Sequence, residues 1–205
     1  MPRPTLRSAA AELARREPTL AGLIAAFGPL TFPPRNADGP FGALVRSIVH
    51  QQLALSAAQA ILGRVIGEVG GTLTPEAIAA TSDDRLRAAG LSRAKLASLR
   101  DLADKVLDGT VELNGRTRRS DEVLIADLTQ VRGIGRWTAE VYLMFELRRL
   151  DIWPVGDLGL RHGYAKAWRL DPVPTPKELL VLGEPYRPYR SIVAWYCWRA
   201  AAMNG

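Results

Sequence analysis

The stretch Leu128–Arg161, LTQVRGIGRWTAEVYLMFELRRLDIWPVGDLGLR, decides how the rest of the chain is read. Within it, Val131-Arg132-Gly133-Ile134-Gly135 separates two segments of helical apolar spacing, which predict helices over 121–128 and 136–148. The two glycines let the backbone turn tightly and expose consecutive N–H groups, and the second opens the next helix. Such a loop at a helix N-terminus is suited to hold a phosphate. About twenty residues later, Asp157 follows Pro154-Val155-Gly156 and precedes Leu158-Gly159-Leu160-Arg161, the position of a helix N-cap.

Outward from this stretch the same period continues. Strand-like alternation is nearly absent, so the fold class is expected to be all-α. Helices are predicted near 6–15, 18–27, 41–50, 56–69, 75–80, 83–89, 93–108, 158–168, 176–182 and 189–203. Thr74-Pro75 and Ser82-Asp83-Asp84 supply N-cap signals, and Gly90 and Gly109 read as C-caps. The Pro/Gly-rich segment Gly28 to Pro40 is expected to be an ordered loop between two lobes, and Asp171 to Pro176 a second loop.

The 205 residues suffice for one well-cored domain, or for two lobes, and not for two large independent domains. No apolar run reaches membrane-spanning length, and the N-terminus, MPRPTLRSAAAELARR, lacks the apolar region of a signal peptide. The expected location is therefore the cytoplasm. The lone cysteine, Cys197, sits in an apolar-aromatic run and reads as a small buried hydrophobe in a reducing compartment. A net charge of +6 and a sequence pI near 9.9 favour a polyanionic partner. Only four of the 27 basic residues are lysine, a bias that a high-GC genome produces without selection for nucleic-acid binding.

Four segments in order carry a family resemblance: FGALVRSIVHQQLALSAAQA at 41–60, LTQVRGIGRWTA at 128–139, DIWPVGDLGLR at 151–161 and YRPYRSIVAWYCWRA at 186–200. Together they resemble the helix-hairpin-helix superfamily of base-excision DNA glycosylases, and within it the AlkA-like 3-methyladenine DNA glycosylase II family. The resemblance implies a two-lobe helical enzyme without the extra N-terminal β-rich domain of larger relatives. One lobe would span about 40–140, the other about 1–39 with 141–205, with the hairpin at 128–139. It further implies a monomer that acts on alkylated bases in double-stranded DNA, in a bacterial cell at the nucleoid. The endonuclease III-like branch usually carries an iron-sulfur cluster, which needs four thiolates, so one cysteine disfavours that branch.

On this resemblance Asp157 matches the family's catalytic acid. Cleaving an N-glycosidic bond builds positive charge on the sugar, which a desolvated carboxylate stabilises while it orients or deprotonates the attacking water. An N-alkylated base is already cationic and leaves without a second acid. Trp137 stands where strand-nicking members place a Schiff-base lysine, so a purely hydrolytic enzyme is expected, with no lyase step.

Trp137 and Trp198 resemble pocket residues whose indole faces attract a flipped cationic base. Val141, with Tyr142 beside it, stands where relatives carry a pocket tyrosine. Trp195 and Trp168 read instead as core packing.

Gln51, Gln52, Leu53 and Leu55 lie in the loop that the family inserts into the minor groove. Gln52 is the best match for the residue filling the gap, with Leu53 and Leu55 as alternatives, either of which would otherwise be core. His50 reads as a solvent or groove contact, since His162 is the only other histidine and no second ligand is spaced for a metal. Gly133, Ile134, Gly135, Arg136 and Thr138 are expected at the DNA. The hairpin resemblance also implies a monovalent cation, Na+ or K+, on backbone carbonyls of Thr129, Val131 and Ile134, and no cofactor for catalysis. Other readings are a glycosylase for deaminated or mismatched bases, or a non-catalytic DNA-binding module, which leaves Asp157 and Trp198 unexplained.

Overall fold

Short polar side chains decide where most helices of this chain start, because the first N–H groups of a helix have no partner within it. In the computed structural model, which describes residues 5–35, 37–113 and 119–203, Thr74, Ser82, Ser92 and Ser120 each accept the N–H three residues on. Every regular element among the described residues is helical. The chain divides into two compact units, Met1–Pro33 with Leu143–Gly205, and Pro34–Tyr142.

The unit Pro34–Tyr142 contains α3 (Gly39–His50), α4 (Leu55–Glu68), α5 (Pro75–Ala80), α6 (Asp83–Ala88), α7 (Arg93–Leu107), α8 (Asp121–Leu128) and most of α9 (Arg136–Phe145). The centre is α7, which packs on α3, α5 and α6. Leu44, Ile48, Ile78, Leu86, Leu99 and Leu102 are sealed between them. Gly90 and Gly109 take positive φ just past their helices, as C-terminal caps require. α3 begins at Gly39 rather than 41, with Pro40 in its first turn, where a missing N–H is tolerated.

The predicted helix over 136–148 stops at Phe145. Arg148 adopts φ 57°, and the Arg149 N–H turns back to the Leu143 carbonyl at 3.0 Å. A left-handed residue closed in this way ends a helix, and no glycine marks it in the sequence.

The other unit contains α1 (Leu6–Arg16), α2 (Pro18–Phe27), α10 (Leu158–Trp168), α11 (Pro176–Leu182), a 3₁₀ turn (Glu184–Tyr186) and α12 (Arg190–Ala202). α10 lies close against α12, and α2 packs on both. Leu13, Leu20, Leu160, Ile192, Tyr196 and Cys197 form the core. Burial pushes the Cys197 thiol well above its ordinary pKa, so it stays a neutral apolar filler, as read from sequence.

The segment leading into α10 is held by α12. Ser191 Oγ donates to the Arg149 carbonyl at 2.8 Å and accepts the Ile152 N–H at 2.9 Å. Arg190, almost fully buried, binds both carboxylate oxygens of Asp151, at 2.8 and 3.0 Å. Trp153 donates its indole N–H to Leu179 at 2.8 Å, with its ring against Gly183. The backbone is thereby tied down on both sides until it turns at Asp157.

The closeness of α10 and α12 rests on Gly163. A Cβ built there would lie 1.8 Å from the Cys197 carbonyl oxygen. Gly163→Ala is expected to lower stability by about 3 kcal/mol or more, or to prevent folding, because two backbones would have to separate. Thermal unfolding of the variant checks this, and a melting temperature equal to the parent's would contradict the packing described.

Candidate functional site

Asp157 occupies the N-cap of α10, and its Oδ1 accepts the Leu160 N–H at 2.5 Å. The same oxygen accepts the indole N–H of Trp198, from α12, at 2.9 Å. Two donors on one oxygen fix the direction of this carboxylate. A Cβ at Gly159 would crowd Asp157 Oδ1 at 3.2 Å and only touch Trp198 Cδ1, at 3.4 Å.

Phe145 stacks on Trp198 with ring centres 6.1 Å apart and planes inclined by 27°. These two rings, with Phe27, Trp195, Arg199 and Met203, line an open cavity of about 500 Å³. Trp195 is thus half-buried on a cavity wall rather than in the core, its face covered by the Arg199 guanidinium at 4.9 Å. Trp168 does pack as expected, stacked on Tyr164 at 4.2 Å.

In the other unit, the loop after α3 forms a turn from His50 to Leu53, closed by Leu53 N–H to the His50 carbonyl at 3.4 Å. Gln51 has φ −54° and ψ 131°, and Gln52 has φ 56°. This is a type II pattern, whose third position favours glycine. An L residue there is strained by roughly 1–2 kcal/mol, and such strain collects at functional sites. Gln52 is exposed at the tip. Leu53 and Leu55 are 39 % and 66 % exposed, which rules out the core alternative for both. His50 is half-buried, its Nδ1 2.8 Å from the Arg46 carbonyl.

The hairpin between α8 and α9 is reached by this loop directly, since Gln51 Nε2 donates to the Gly133 carbonyl at 2.8 Å. Gly133 has φ 80°, and an added Cβ would sit 2.6 Å from Ser98 Oγ, so only glycine fits. Gly135, by contrast, has ordinary φ with open space around it. Its part in the tight turn, expected from sequence, is not required. What it adds is an unobstructed backbone, with its carbonyl starting α9 through Ala139 N–H at 3.1 Å.

Val131 and Ile134 point into the core, and Thr138 is only 6 % exposed. The side chains of Ile134 and Thr138, both expected at the DNA, are buried in this unit. Arg136 is held by Glu122, at 2.7 and 3.0 Å, and by Glu140 at 3.0 Å, which raises its pKa above the ordinary value. Trp137 is half-exposed at the start of α9, Val141 is half-buried and Tyr142 buried.

Three residues of α7 were not singled out from sequence. Lys95 donates to the carbonyls of Val49 and Gln51, Ser98 faces Gly133, and Asp101 Oδ2 accepts the Arg132 N–H at 2.7 Å. Their partners are backbone atoms distant in sequence, so side-chain pattern alone gives no signal. Among the described residues no three His, Cys, Asp or Glu side chains gather as a metal site, and no helix is long and apolar enough to cross a membrane.

A helical fold with a glycine hairpin, and an aspartate capping a helix beside a tryptophan, define a base-excision type of protein. Residues 45–188 match the HhH-GPD superfamily of base excision DNA repair proteins, and the chain belongs to that family. It is 38 % identical to DNA-3-methyladenine glycosylase 1 of Schizosaccharomyces pombe, over 80 % of this chain and 73 % of the relative. The crystal structure of a DNA-3-methyladenine glycosidase from Bacillus halodurans superposes with TM-score 0.86 at 36 % identity, covering 95 % of this chain and 89 % of that one. A Schizosaccharomyces pombe 3-methyladenine DNA glycosylase in complex with abasic DNA gives TM-score 0.77 at 34 % identity, over 93 % and 95 % of the two chains.

Burial alone would raise the Asp101 carboxyl, but the Arg132 N–H and the Lys105 ammonium outweigh it and hold the pKa below the ordinary aspartate value. A depressed carboxylate stabilises the fold above its unfolded pKa and loses that contribution as pH falls through the folded one. Asp101→Asn is therefore expected to melt about 2–4 °C below the parent at neutral pH, with the difference shrinking as the pH falls below the ordinary aspartate value. Melting curves from pH 2.5 to 7 check this, and a gap that widens in acid would contradict it.

Proposed function

We infer that this chain is a DNA glycosylase of base excision repair that removes 3-methyladenine and similarly alkylated bases from duplex DNA by hydrolysis alone. The observation that carries the reading is the Asp157 carboxylate, oriented by the Leu160 N–H and the Trp198 indole on one oxygen. The relatives named above act on 3-methyladenine, as does the mechanism that this carboxylate suits.

The base must first leave the stack to be reached, and the exposed Gln52 is the residue best placed to fill the gap, with Leu53 and Leu55 beside it. The Trp198 indole beside Asp157 offers a face for a cationic base; Trp137, Val141 and Tyr142 remain, from the resemblance, the further candidates to meet it. The C–N electrons depart with the base, which leaves neutral. Asp157 stabilises the sugar cation, and water adds to the sugar carbon and gives up a proton. Trp137 has no amine to form an imine, so the strand is left unbroken at an abasic site.

Backbone N–H groups of Gly133 and Gly135 would hold a DNA phosphate. The carbonyls of Thr129, Val131 and Ile134 suit Na+ or K+. Thr129 caps the C-terminal, negative end of α8, and the Val131 oxygen retains a lone pair beside its hydrogen bond from Ile134 N–H. Bound there, the cation would supply positive charge facing the same phosphate.

Asp157→Asn keeps the shape and a capping oxygen but removes the charge. Excision of 3-methyladenine is expected to fall about 10²–10³-fold, near 3–4 kcal/mol, with affinity for an abasic-site duplex little changed. A folded variant that excises at the parent rate would sink this role. The product strand is expected to break only after alkali or heat, and direct scission or borohydride trapping by the purified protein would overturn the hydrolytic assignment.

A further inference from the structure

Lys95 stands at the third position of α7, behind the Ser92 N-cap, where the positive end of the helix dipole disfavours a cation. The first turn of α7 holds no acid to offset it. Its ammonium is turned instead to the end of α3, where it donates to the Val49 carbonyl at 2.7 Å and the Gln51 carbonyl at 2.8 Å. There the dipole of α3 favours it and unpaired carbonyls need donors. Partial burial lowers its pKa below the ordinary lysine value.

One carbonyl lies just before the His50–Leu53 turn and the other within it, both on the N-terminal side of Gln52, which is strained at φ 56°. Strained backbone persists only where its surroundings over-determine it. Two contacts do so: Lys95 grips the main chain on the near side of Gln52, and Gln51 Nε2 ties the turn to Gly133. Lys95, Ser98 and Asp101 follow at three-residue intervals on one face of α7, and the latter two meet the hairpin. One helix face therefore sets both loops.

We propose that Lys95 is a positioning residue that holds the strained Gln51–Gln52 turn in the shape that replaces a flipped nucleotide in the DNA stack. It acts on extrusion of the base rather than on the bond that breaks. The assignment rests on the glycosylase reading and on this loop entering DNA.

Single-turnover excision of 7-methylguanine distinguishes the possibilities, measured in one duplex with the lesion paired to cytosine and in another with it opposite an abasic site. Lys95→Met, which keeps the stem and removes the donors, is expected to lose at least tenfold on the paired duplex and less than threefold on the other, while melting cooperatively. Equal losses on both duplexes would reveal a merely structural lysine and overturn the proposal, as would no loss on either. If Lys95→Met does not fold, the same comparison is made with Lys95→Gln. Failure of both to fold also overturns it, because the lysine would then be a determinant of folding. A parent protein inactive on both duplexes and on methylated DNA would refute the glycosylase reading, and this assignment with it.

Discussion

The close approach of α10 and α12 is the constraint on which the unit carrying Asp157 depends. Gly159 and Gly163 lie one turn apart on α10, and both face α12: Gly163 against the Cys197 carbonyl, Gly159 against the Trp198 ring. A side chain at Gly163 would push α12 outward and carry the Trp198 indole away from Asp157, whereas a Cβ at Gly159 would only touch the Trp198 ring at ordinary contact distance. A backbone-to-backbone packing requirement thus becomes a requirement on the direction of one carboxylate oxygen. The same helix holds the segment before Asp157 through Arg190 and Ser191, so α12 fixes the acid from two sides.

Loss of a cationic base asks little of a general acid and much of a negative charge held in place. A carboxylate that had to reorient during the reaction would give back much of its electrostatic benefit. Here a helix N-terminus and an indole donor meet at Oδ1 before any substrate arrives.

Helix boundaries were legible in the sequence wherever a side chain announces them. Thr74, Ser82 and Asp157 cap the helices they were expected to cap, and the period of apolar residues located the rest to within a residue or two. The end of α9 was not legible, because Arg148 adopts a conformation that sequence assigns to glycine. Two equal-looking glycines in the hairpin proved different, since only Gly133 takes a positive φ, and Ser98, thirty-five residues earlier, crowds the place of its Cβ. Trp195 and Trp198 share one helix and one composition, and only three-dimensional contact with Arg199 and Asp157 separates their surroundings.

The most informative departures from local preference are the ones that another part of the fold repairs. Lys95 opposes the dipole of its own helix and satisfies the end of α3; Gln52 takes a glycine-like conformation within a turn held by that lysine. Neither arrangement is favourable alone, and each removes the reason to regard the other as a defect. Arg136 shows the converse. It carries a cation where the hairpin would meet a phosphate, yet Glu122 and Glu140 already bind it. Its charge is offset by two carboxylates, so an arginine at the start of α9 is used to tie α8 and α9 together rather than left as a bare cation.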